Sequence, residues 1–97
     1  MNYNFEWDKT KAKSNLQKHK ISFETASSIF RDEKAISIAD EEHSEEEERW
    51  LTIGLDEVTR MLVVIHTFLI TDRSNCRIRI ISARKATKNE VRIYEKG

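Results

Sequence analysis

Two arginines set the chemistry this chain can do. Arg77 and Arg79 stand two apart in the run Arg77-Ile-Arg-Ile-Ile-Ser-Ala-Arg-Lys85. In a strand that spacing puts both guanidiniums on one face, while Ile78 and Ile80 share the other. A guanidinium grips two phosphate oxygens with its planar fork and keeps its charge. Arg84 and Lys85 follow where the strand should end, and Lys88 comes just after them. Thr87 and Glu90 have the spacing of a capping box, which starts a helix there. A helix start offers free backbone N–H groups and favours anions. Residues 77–90 therefore read as a phosphate-binding surface. His66 is the histidine best suited to move a proton as general acid or base.

The elements that must carry these residues follow from the periodicity. Tyr3, Phe5 and Trp7 alternate with polar residues, which predicts a short strand with one aromatic face. Asp8 caps a helix over about 9–19, with Ala12, Asn15, Leu16 and His19 on one face. That placement assigns His19 to packing and capping. Ser22 caps a second helix over about 23–31, carrying Phe23, Ala26 and Phe30. Strands are expected at 35–39, around Leu51–Leu55, at 60–70 and at 76–83. The run 40–48 is too acidic to pack and reads as a solvated loop, with a docking site for basic segments of a partner as the alternative. A last helix spans about 87–96, with Val91 and Tyr94 facing inward. The order predicts an α+β fold: a mostly antiparallel sheet of about four to five strands, two N-terminal helices and one C-terminal helix.

Length and composition bound the rest. The chain of 97 residues suits one small domain, 1–97. Charged residues make up 35% and hydrophobic ones 38%, so the core must be compact. One cysteine, Cys76, excludes an internal disulfide and a multi-cysteine zinc site. Nothing in the pattern calls for a cofactor or a metal. The N-terminus lacks a basic region followed by an apolar run, and the apolar run Met61–Ile65 is too short to span a bilayer. A cytoplasmic protein without a membrane partner is the expectation.

The net charge of zero hides segregation. Residues 1–30 hold five Lys/Arg against three Asp/Glu, residues 31–57 three against eleven, and residues 58–97 nine against three. A polyanion meets the local field of the last segment and not the total.

Several blocks stand in the order found in BrnT-type toxins. These are Phe5-Glu-Trp-Asp8, Asn15-Leu-Gln-Lys-His19, Ser22-Phe-Glu-Thr-Ala26, Ile78-Arg-Ile-Ile-Ser-Ala-Arg-Lys-Ala-Thr87, and Glu90 with Tyr94. The chain resembles this family over nearly its whole length. The resemblance implies a RelE-like fold and a ribonuclease, the toxin half of a type II toxin–antitoxin pair, that cuts RNA and halts translation. It implies a small operon-encoded antitoxin, BrnA-like and DNA-binding, with a dimer or a hetero-oligomer as the assembly. Where relatives follow His-Thr with Glu-Arg, this chain has Phe68-Leu69.

RNA is cut when its 2′-hydroxyl attacks the adjacent phosphate. A protein assists by moving two protons and stabilising charge on the phosphorane-like transition state, with no metal required. Arg79 and Arg84 are expected to stabilise that charge, and His66 or Tyr94 to move the proton. Tyr94 could also stack on a base. Arg77, Lys85 and Lys88 are expected to hold the RNA backbone. The reading from another class is a non-catalytic nucleic-acid or antitoxin-binding module, in which the same arginines only grip phosphates.

Overall fold

The computed structural model describes residues 1–43 and 48–97. The elements are β1 (Asn2–Glu6), α1 (Lys9–His19), α2 (Phe23–Ser27), β2 (Ile36–Ala39), β3 (Arg49–Leu55), β4 (Met61–Thr67), β5 (Leu69–Ile70), β6 (Asn75–Lys85) and α3 (Lys88–Lys96). Short 3₁₀ turns occupy Ser28–Arg31 and Glu41–His43. Most of the acidic run 40–48 lies at the margin of the described residues or outside them.

The fold is α+β, as expected, with six strands instead of four to five. The sheet order is β1-β6-β4-β3-β2, and β5 also pairs with β6. Every pairing is antiparallel except β1 with β6, which is parallel. The expected long strand 60–70 is divided because its ladder is interrupted. The Thr67 carbonyl sits 2.9 Å from Nδ1 of His66, and the Arg79 N–H donates to the Thr67 hydroxyl at 3.2 Å. The expected helix 23–31 tightens into a 3₁₀ turn after Ser27.

The two faces of the sheet differ. On the inner face Ile78, Ile80 and Ala83 of β6 and Leu62 and Val64 of β4 form the core with Ile21, Phe23, Ala26 and Ile29. Phe5 and Trp7 pack against that core, with Phe5 and Phe30 ring centres 5.4 Å apart. Gly54 lets β3 approach closely here: a Cβ would stand 3.2 Å from both the Ile29 and Ala35 Cβ atoms. On the outer face α3 returns to pack on β3, where Ile53 and Val63 are fully buried.

A bulge in β6 decides which residues face out. Ile65 pairs with Ser82 but His66 pairs with Ile80, so Ile81 is an extra residue. One inserted residue flips the alternation beyond it. Arg79 and Arg84, five positions apart, thus share the outer face.

α1 closes the sheet edge where β1 stops. The Asn15 side chain donates to the Ala83 carbonyl at 2.9 Å and accepts from the Ala83 N–H at 3.0 Å, acting as a one-residue strand. It also donates to the Ile21 carbonyl at 3.0 Å. This corrects the expected packing face of α1. Asn15 takes the inward position, and Leu16, about 100° further round the helix, is 48% exposed.

Candidate nucleic-acid interface

The β6 arginines stand at one end of the outer face. Register pairs Arg77 with Asn4 and Arg79 with Glu6 on β1, and Arg77 with Leu69 on β5. Arg49 of β3 pairs with Thr67 of β4, whose hydroxyl accepts from Arg79. Arg49, Thr67 and Arg79 therefore cross the sheet in one row. Arg77 is exposed, next along the same face.

Arg84 lies about 15 Å further along the strand, at its far end. It is committed to an ion pair with Glu90, with nitrogen–oxygen distances of 2.7 and 2.9 Å. Glu90 at the same time completes the capping box with Thr87. The Arg84 hydrogen bond, opposed by burial and helped by the Thr87 N–H, holds the Glu90 carboxyl down to about 2. The same bond raises Arg84 above its ordinary value. Lys85 and Lys88 sit exposed beside this pair.

Tyr94 belongs to the same end. Its hydroxyl donates to Asp32 Oδ2 at 2.7 Å, an oxygen that also accepts from the Leu55 N–H at 2.9 Å. Burial works to raise Asp32, yet these donors hold it below the usual carboxylate range. The bond to Asp32, with burial, raises Tyr94. Tyr94 thus ties α3 to the turn ahead of β2.

His66 is on the other side of the sheet. It shares the inner face with Val64 and Ile80 and meets the Phe30 ring edge-on, centres 4.8 Å apart. It is 2% exposed. The Thr67 carbonyl can only accept, so Nδ1 carries the proton, and Nε2 accepts from the Thr52 hydroxyl at 2.6 Å. Thr52 in turn receives a hydrogen bond from Ser37, at 2.7 Å. Burial, opposed by the Thr67 carbonyl, lowers the His66 pKa. A hollow of about 260 Å³ opens here between Ser37, Trp50, His66 and Phe68. The four expected catalytic residues are therefore not brought together. Arg79 is at one end of the outer face, Arg84 and Tyr94 are tied up at the α3 end, and His66 is beneath the sheet.

A group the sequence reading passed over lies along the α1 edge. Thr10, Lys11, Ser14, Lys18 and His19 line a hollow of about 270 Å³ with Ile81 and Ser82. A second hollow of about 420 Å³ lies on the outer face, walled by Ile38, Asp40, Arg49, Leu51 and Ile65, again with Ile81 and Ser82. The available signal was the i, i+7 spacing of Lys11 and Lys18, which puts both on one helical face. Their meeting with β6 was not visible. Among the described residues no group of three His, Cys, Asp or Glu is placed to hold a metal ion.

Residues 7–90 match the model of a family described as the ribonuclease toxin, BrnT, of type II toxin–antitoxin systems. No curated protein sequence matches the chain. The crystal structure of the Brucella abortus ribonuclease toxin BrnT is similar in fold, with a TM-score of 0.64 at 19% identity, over 90% of this chain and 100% of that one.

Proposed function

The chain belongs to the BrnT family of ribonuclease toxins, and we propose that it is a metal-independent endoribonuclease that inhibits translation and is neutralised by a cognate, operon-encoded antitoxin. One observation beside the family match supports this reading. Arg79 and Arg77 stand on a central strand, on a sheet face that no helix among the described residues covers at that end. A guanidinium held by strand backbone is preorganised for a phosphorane-like transition state, and such electrostatic stabilisation is the largest single contribution in many enzymes.

In this scheme Arg79 binds the scissile phosphate and Arg77 the backbone beside it, with Lys85 and Lys88 holding RNA further along. Arg84 and Tyr94 act by anchoring α3 through Glu90 and Asp32. His66 supports Arg79 indirectly: it holds the Thr67 carbonyl, and the Thr67 hydroxyl receives the Arg79 N–H. The occupied state of Arg84, Tyr94 and His66 is what favours the second reading, a toxin-like module that binds RNA or an antitoxin without cutting.

Expression of the chain alone separates the two. The enzyme reading expects growth arrest and cleaved RNA from the wild type, with or without EDTA, and neither from Arg79→Ala. Bound but intact RNA would favour the binding module, and cleavage lost in EDTA would remove the metal-free mechanism.

A further inference from the structure

The hollow beside α1 and the hollow on the outer face meet at Ile81 and Ser82, which line both. They adjoin at these two residues and give a trough in two parts, from α1 over β6 to β3 and β2. Its α1 end carries Lys11 and Lys18, both exposed, with the hydroxyls of Thr10 and Ser14 and the half-buried ring of His19. Its sheet end has an aliphatic floor. Ile38 faces Leu51, Leu51 faces Ile65, and Ile65 faces Ser82 in register. Ile38 is 42% exposed. Asp40 and Arg49 close this end.

We infer that this trough is the path of single-stranded RNA, with phosphates held at Lys11 and Lys18 and one unstacked base laid on Leu51, Ile65 and Ile81. The inference rests on the ribonuclease reading above and names the form of its substrate. The order of surfaces fits that ligand: cations and hydroxyls for a sugar–phosphate backbone, then a flat apolar floor. A base in a duplex keeps both faces stacked and cannot reach such a floor, whereas a splayed base can. The order of these surfaces orients each nucleotide, with its phosphate towards α1 and its base towards β3. The Arg49–Thr67–Arg79 row borders the floor, so a strand in the trough brings a phosphate beside Arg79. Among the described residues, His19 is the imidazole that lines this path.

The test compares the wild-type chain with Lys11→Glu/Lys18→Glu, and with Arg92→Glu/Lys96→Glu on α3 as a control of equal charge change. The probes are a fluorescein-labelled 12-nucleotide single-stranded RNA and its perfect duplex. Binding is read by anisotropy across a salt series, cleavage on gels, and folding by circular dichroism. The trough variant should bind the single strand about tenfold more weakly. Its salt dependence should be shallower by about 0.7 per lost phosphate contact. The control should bind like the wild type, and the duplex should bind more weakly than the single strand throughout. Wild-type cleavage with an unaffected trough variant overturns the inference and leaves the ribonuclease reading standing. Equal affinity for the duplex also overturns it. Binding that is lost in the trough variant, while the wild type leaves RNA intact, supports the path and removes the ribonuclease reading. A wild type that neither binds nor cuts removes both.

Discussion

Asn15 and Ala83 pair as two strand residues would, although one belongs to a helix. The amide of Asn15 meets both the carbonyl and the N–H of Ala83, at 2.9 and 3.0 Å. This single side chain fixes β6 immediately past the Ile81 bulge. It therefore fixes the face on which Ser82 and Arg84 emerge. Asn15→Leu leaves the Ala83 N–H and carbonyl and the Ile21 carbonyl without this partner in a buried place. The expected loss is about 2–4 kcal/mol of unfolding free energy, read from urea unfolding. A loss under half of the lower figure would mean that water or backbone takes over the role.

Arg79 and Arg84 should separate function from stability. Arg79→Ala is expected to lower RNA cleavage by roughly 100-fold or more and to leave the melting temperature nearly unchanged. Arg84→Ala should lower the unfolding free energy by on the order of 1 kcal/mol because the guanidinium is partly solvated, seen as a lowered melting temperature, with cleavage falling only as far as folding does. Reversed behaviour would move the anion site to the α3 end.

The Arg84–Glu90 pair also sets an acid limit. The folded Glu90 carboxyl is held at about 2 against an ordinary 4.5. A depressed carboxylate contributes its full stability above the ordinary value and loses it as pH falls towards the folded one. Stability should decline between about pH 5 and pH 2, and Glu90→Gln should flatten part of that decline. Parallel acid-unfolding curves for the two proteins would contradict this assignment.

His66 adds a second, milder slope at higher pH. Burial places its folded pKa below the ordinary 6.5, so the unfolded chain takes up the proton first. Stability should be full above about pH 6.5 and fall as the pH drops below it. Urea midpoints at pH 7.5 and 5.5 measure the fall, which His66→Asn should reduce. A wild-type midpoint that does not move between these values would show that the Thr52–His66 bond tolerates the imidazolium.

Gly54 tests the packing of β3 under the Ser28–Arg31 turn. The contacts awaiting a Cβ, at 3.2 Å from the Ile29 and Ala35 Cβ atoms, involve atoms fixed to backbone that cannot swing away. Gly54→Ala should cost about 1–3 kcal/mol, read as a lowered thermal midpoint with cleavage by the remaining folded protein intact. An unchanged midpoint would mean that β3 and the turn can separate by a few tenths of an ångström.

Local signals carried much of the architecture. Alternation at Tyr3–Trp7 and Leu51–Leu55 depends on neighbours one and two residues away, and so do the caps at Asp8, Ser22 and Thr87. Such signals survive without tertiary context: α1 and α2 begin where they indicate, β1 and α3 within one residue, and β3 two residues before Leu51. The family blocks, strung along the whole chain, conveyed the fold class in the same way.

The composition of the site did not follow from these signals. Arg79 and Arg84 have opposite parity in an unbroken strand, and only the Ile81 bulge puts both on one face. A bulge arises from pairing with β4 and leaves no mark in β6 itself. His66 looked like a proton carrier by type, but burial and two hydrogen-bond partners from β3 and its own strand hold it neutral on the opposite face. His19 looked like a packing residue by helical position, and the approach of α1 to β6 turns its ring into a trough instead. Residue type and short spacing settle which residues carry charge and which segments become strands or helices, so these are legible along the chain. Which charged groups share a surface is settled by how the segments pack. That depends on register, bulges and edge contacts between segments up to 73 positions apart, as with Phe5 and Ile78.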